Sequence, residues 1–287
     1  MECASSASGV YTESMEKLVP PPFWGPVSSD YDWCETNYLV TPYIAEFFNT
    51  VSSLGVVLAG AIFFRLTKTY AYGFRFYVAS VGLTIIGLGS VAFHGTLKRW
   101  GQVLDEVPML WSSLIFLWIV CCNGLSRQGE SRWALTLAIL MFCFGTVSTW
   151  FYFQAGFAYF IGAYILTVAS IFSMTLYRVT KSRNTRASVY AYRAVAFYGG
   201  GFLFLWLPEQ FFCGNRIHDT HESGLLSLPV PLHAFFHITS SIGPFCFLTH
   251  AAFEHLEQQK RRPDIVSEPS VESCGMISIS VVKPRDE

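Results

Sequence analysis

His233 and His237 stand four residues apart in the run LHAFFH, so on a helix they share one face and could hold one metal ion between two imidazoles. Such a pair on an apolar helix also reads as ordinary core histidines. His94, in GSVAFHGTLK at the end of an earlier apolar run, offers a third nitrogen, and Asp105, in VLDEVPM just beyond it, offers a carboxylate. Three neutral nitrogen ligands with a fourth position open describe a catalytic zinc centre, which lowers the pKa of a water toward about 7 and polarises a carbonyl. The expected chemistry is hydrolysis of an amide or ester, with Asp105 orienting or deprotonating the water. The plainer alternative for Asp105 is a helix-start carboxylate favoured by the macrodipole. Glu106, adjacent and pointing elsewhere on a helix, fits that alternative better and stays outside the expected site. Ser90, one turn before His94 on the same face, could donate to a developing oxyanion or could serve only as helix-packing glue.

A second cluster precedes the first apolar run: Asp32, Trp33, Glu35 and Asn37 in DYDWCETNY, then Glu46 in YIAEFFNT. Its hard oxygen atoms suit Ca²⁺. A solvated acidic loop is the competing reading, because the twelve-residue pattern of a Ca²⁺-binding hand is absent. Cys34 lies in the same loop and Cys213 follows the sixth apolar run; an oxidising compartment would let the two bridge. His218, Asp219, His221 and Glu222, in GNRIHDTHESG, read as a polar loop rather than a second metal site.

These residues need rigid elements to bring them together, and the composition says what kind. The 287 residues are 52% hydrophobic and 17% aromatic with only 14% charged, a mix that excludes an ordinary soluble globular protein. With a net charge of −1 and no basic stripe among aromatics, nucleic acid has nothing to recognise. No Gly-rich phosphate loop follows a strand pattern, which removes nucleotide chemistry.

Apolar stretches of roughly 20 residues, the length that crosses a bilayer, fall at about 44–65, 74–97, 104–124, 133–152, 157–178, 189–208 and 232–253. The expected fold is therefore all-α: a polytopic bundle of seven membrane-spanning helices. Of the 19 Lys and Arg residues, 4 fall on the N-terminal side of this arrangement and 15 on the other, which puts the N-terminus in the lumen and the C-terminus in the cytosol. The start MECASSASGVYTESMEK lacks the basic and apolar regions of a cleavable signal, so the first span is expected to act as the insertion signal. The chain then divides into a lumenal segment (1–43) with the acidic loop, a catalytic membrane domain (44–253), and a polar tail (254–287) too poor in apolar residues to fold alone.

The run FWGPVSSDYDWCETNYLVTPYIAEFFNTVSS, with GSVAFHGTLK, LDEVPM and LHAFFH, resembles the signature of the alkaline ceramidases, seven-helix membrane amidases in a superfamily with the adiponectin receptors and GPI-remodelling lipases. The likeness covers about residues 23 to 253. It implies zinc on His94, His233 and His237, with Asp105 assisting the water and Ser90 steadying the oxyanion. It also implies calcium on Asp32, the Trp33 carbonyl, Glu35, Asn37 and Glu46, and a Cys34–Cys213 disulfide. The implied reaction is cleavage of the ceramide amide to a sphingoid base and a fatty acid, in an endoplasmic reticulum or Golgi membrane.

One stretch departs from the family: where relatives tend to carry W-N-x-D-N, this chain reads Trp206-Leu207-Pro208-Glu209-Gln210, with the proline expected to cap the helix early. Three rivals stand beside the amidase. An acyl-ester lipid hydrolase would use the same zinc, a receptor would keep the metal as structure, and a transporter would use the polar cluster as an ion path but lacks inverted repeats.

Overall fold

The computed structural model describes residues 21–123, 127–182, 184–213, 232–260, 270–274 and 279–283. Its helices are α1 (Phe47–Tyr70), α2 (Phe74–Thr96), α3 (Arg99–Asn123), α4 (Arg127–Lys181), α5 (Thr185–Ala194), α6 (Leu207–Cys213) and α7 (Leu232–Lys260). Between α5 and α6 the chain stays helical through two π-helical stretches, Val195–Gly199 and Phe202–Trp206. Helices α1, α2 and α3 and the segment Trp133–Lys181 of α4 are long and apolar enough to cross a membrane, as an integral membrane protein requires. That segment, at 49 residues, is more than twice the roughly 20 that one crossing takes. It is broken at Gly156, whose φ of 64° and ψ of −149° suit a residue without Cβ.

Helices adjacent in sequence pack side by side from α1 to α4, and α7 closes against α1, α3 and α5. Phe63, Phe76, Ile119 and Leu248, one from each of α1, α2, α3 and α7, are fully buried in the shared core. Beyond α7, Ser270–Cys274 (β1) and Ile279–Lys283 (β2) pair antiparallel, Ser270 opposite Lys283, within the stretch whose composition suggests disorder. A lone two-stranded hairpin of this kind is only marginally stable in water.

The N-terminal segment is strapped across the end of α2. A helix leaves its last carbonyls without donors, and here the strap supplies them: Ala45 N–H donates to Gly95 O (3.0 Å), and Glu46 N–H to His94 O (2.9 Å). Leu97, in the left-handed conformation that ends α2, accepts Ser28 and Ser29 N–H at 3.1 and 3.2 Å. Tyr31, Trp33, Ala45, Phe93 and Leu97 form a second small core beneath the strap. The acidic segment is thereby fixed directly over the helix end that carries His94.

Candidate active site

His94 closes α2, and His233 and His237 occupy the first two turns of α7. The structure brings the three together, all buried, with one ligand atom from each within 4.8 Å of the others, a group that could hold a metal ion. Ring centroids are 4.4 Å apart for His233 and His237, 4.8 Å for His94 and His237, and 5.1 Å for His94 and His233.

Each ring is oriented from behind. His94 Nδ1 is paired with the Glu46 carboxylate, which leaves Nε2 buried with no partner. A carboxylate on one imidazole nitrogen that turns the other toward a metal is the usual second layer of a histidine metal site. His237 Nδ1 donates to Asn49 O (3.1 Å) beside the Ser52 hydroxyl (2.9 Å), so its remaining nitrogen faces the group. His233 lies flat on the Trp33 indole, ring centroids 3.5 Å apart, and its Nδ1 is a second buried nitrogen without a partner. Orphaned nitrogens converging in a buried space are what a neutral nitrogen site for zinc requires.

Sequence reasoning misses the residues that hold these rings. Glu46, Asn49 and Ser53 recur at helical spacing at the start of α1, a polar stripe on an apolar helix that local periodicity does display. The sequence suggests Glu46 only as an oxygen ligand in the acidic loop. It also accepts Trp33 N–H (3.0 Å) and the Asn49 amide (3.1 Å), and so ties the loop to the histidines. Glu35 caps α1 from the loop, accepting Phe48 N–H at 2.6 Å and Asn49 N–H at 2.8 Å, bonds worth about 1 kcal/mol to a helix start. Burial pushes the Glu35 carboxyl up from its usual pKa, and those same N–H groups oppose the rise. Asn37 donates to both Asp32 oxygens, at 3.1 and 3.0 Å, while its own Oδ1 is buried without a partner.

Ser90, Asp105, His233 and His237 line one cavity of about 310 Å³, whose other walls are mostly aromatic and aliphatic side chains of α2 to α4 and of the π-helical stretches. Ser90 Oγ lies 3.0 Å from Ser53 Oγ, whose own single proton is within closer reach of Asn49 O (2.7 Å). Asp105 is buried with Oδ1 unpartnered. Helix α3 begins at Arg99, so Asp105 lies in its second turn and is not the solvated helix-start carboxylate of the plainer reading. Glu106, expected to point away, lines the same cavity: it is wide enough to accept two neighbours about 100° apart on the helix.

The close approach of α2 and α3 depends on Gly89, where a Cβ would sit 1.9 Å from Leu104 O and 2.9 Å from Asp105 N. Ser90 is set beside Asp105 by that contact.

The departing segment reaches the site as well. Trp206 lines the cavity, Glu209 accepts Cys34 N–H (3.2 Å), and Gln210 pairs with the Tyr31 hydroxyl. Pro208 is the second residue of α6 and does not end the helix early, since α6 runs on to Cys213. His218, Asp219, His221 and Glu222 lie outside the described residues.

The ceramidase family model matches residues 25–270. Alkaline ceramidase 3 of Mus musculus is 30% identical over 251 residues, 85% of this chain and 90% of the relative. Alkaline ceramidase YPC1 of Saccharomyces cerevisiae is 30% identical over 271 residues, 86% of this chain and 83% of the relative. Alkaline ceramidase 1 of Homo sapiens is 31% identical over 239 residues, 78% and 82%.

Proposed function

The chain belongs to the ceramidase family, and on that premise we propose that it hydrolyses the amide of ceramide to a sphingoid base and a free fatty acid at the site formed by His94, His233 and His237. The observation that carries the reading is the convergence of three oriented, buried imidazoles, two of which, His233 and His237, line an apolar cavity that also presents Ser90 and Asp105. Zinc held by the histidines would polarise the amide carbonyl and lower the pKa of water toward about 7.

The chain's own groups do the rest. Asp105, with an oxygen unused by the protein, takes the proton of the attacking water and passes it to the departing amine nitrogen as the carbon–nitrogen bond breaks. Ser90 donates its proton to the carbonyl oxygen as negative charge grows there, a contact made chiefly in the transition state. The aromatic walls take the hydrocarbon and exclude bulk water, which strengthens both interactions.

Asp32, the Trp33 carbonyl, Glu35, Asn37 and Glu46 are proposed to hold calcium, supported by the buried orphan Asn37 Oδ1 beside the Asp32 carboxylate. The Cys34–Cys213 disulfide is proposed because the Cys34 N–H meets Glu209, one helical turn before Cys213. Seven spans, a lumenal N-terminus and an endoplasmic reticulum or Golgi membrane complete the reading, supported by the Lys and Arg asymmetry.

The test is release of sphingoid base from ceramide by purified protein in detergent, with bound zinc counted in parallel, for the wild type and His237→Ala. Loss of zinc together with hydrolysis is the expected result. Full zinc occupancy with no hydrolysis of any of several ceramides would overturn the reading.

A further inference from the structure

We propose that Glu106 is the acceptor of a hydroxyl-binding subsite beside the hydrolytic centre. Its ligand, on the ceramide reading above on which this rests, is the primary hydroxyl of the sphingoid base. Glu106 is 3% exposed and lines the cavity with Ser90, Asp105, His233 and His237. Its surroundings decide which oxygen is available. Gln102 Oε1 accepts Asp30 N–H (2.7 Å) and the Arg99 guanidinium (3.1 Å), so the other end of that amide can act only as a donor. Gln102 Nε2 accordingly donates to Glu106 Oε1 (2.9 Å). Oε2 and the Tyr152 hydroxyl are both buried and near enough to interact, yet neither has a hydrogen bond of normal geometry, so a ligand hydroxyl placed between them would meet both. A buried carboxyl oxygen left unmet is costly, and in native structures it marks a place for something outside the chain.

The ligand must therefore offer one polar group here and hydrocarbon elsewhere, because Phe157, Phe160 and Phe202 are among the remaining walls. A hydroxyl both donates and accepts, so it suits the carboxyl in either protonation state. Of the two hydroxyls of a sphingoid base, the secondary one sits on the carbon that continues into the tail, and the primary one ends the molecule on its polar side. Glu106 faces that polar side, since Gln102 and Arg99 connect it to Asp30 in the N-terminal strap.

The experiment compares kcat/KM for ceramide and for 1-deoxyceramide, which lacks the primary hydroxyl, in the wild type, Glu106→Gln and Glu106→Leu, with zinc counted in each. A site built to meet a hydroxyl rejects the analogue without it, so the wild type is expected to favour ceramide by at least about tenfold. Glu106→Leu is expected to reduce that ratio to below about threefold, with Glu106→Gln between, because its amide still offers one hydrogen bond. Should the leucine variant lose zinc through misfolding, the glutamine variant decides alone.

An unchanged ratio in zinc-loaded variants, both lipids slowing together, would assign Glu106 to proton transfer or packing and overturn the subsite. A wild type that cleaves both lipids equally well would also overturn it while leaving the ceramidase reading intact. A wild type that cleaves no ceramide removes both.

Discussion

Glu46 grips His94 at both ends, its N–H on the His94 carbonyl and its carboxylate on the His94 ring. One residue thus ends α2 and aims its last imidazole. Glu46→Gln keeps the backbone contact and the size but gives His94 a neutral partner, which makes Nε2 a poorer donor to a metal. Zinc affinity should fall about 10- to 100-fold, the usual cost of losing such a partner, as read by competition with a chelator of known affinity. Wild-type affinity in the variant would show that the pairing does not tune the site. The pairing of His233 with His237, and of Ser90 with His94, is legible in the sequence because a spacing of four implies a shared helical face, whereas Asp105 comes from another helix and is placed beside them only by topology. The Glu46–His94 pair spans 48 residues of sequence, and no local pattern records such a contact. Glu106 escapes for another reason: helical phase separates neighbours by angle but carries no information about the width of the cavity they meet.

At the scale of elements, the site depends on how closely α2 and α3 approach. Gly89 has backbone where a side chain would go, and backbone cannot swing aside as a flexible side chain can. Gly89→Ala should therefore push the helices apart, cost about 1–3 kcal/mol, and separate Ser90 from Asp105. Gly162, on α4, has nothing within 4 Å of where an alanine methyl group would sit and provides the control: Gly162→Ala should be neutral or stabilising by up to about 1 kcal/mol. Thermal unfolding in detergent, followed for both variants, distinguishes a local clash from a general intolerance of added volume. Equal melting temperatures for the two would refute the close-contact argument. Hydropathy locates the long apolar helices, but it begins the third at about residue 104 because Arg99 and Gln102 look like loop; they are helical and use their polar groups on the strap. The π-helical stretches of 195–206 are invisible to it, since a wider helical turn leaves no mark on composition.

For the whole molecule, the question is which side of the membrane receives the products. His94 ends α2, Asp105 lies in the second turn of α3, and His233 and His237 lie in the first turns of α7, so the site gathers at the end of the bundle where the N-terminal strap sits. If the chain crosses seven times with 15 of its 19 Lys and Arg residues on the far side, that end is lumenal and the sphingoid base leaves from the lumenal leaflet. An Asn-X-Ser acceptor introduced near residue 10 should then be glycosylated in membranes that carry the transferase, and one introduced near residue 265 should remain bare. In sequence one position precedes α1 and the other follows α7, so the added sugar should leave zinc content unchanged. Glycan on the C-terminal acceptor alone would invert the orientation, and glycan on both would require an even number of crossings. That second outcome would point to the break at Gly156, where two crossings would have to be replaced by a single one.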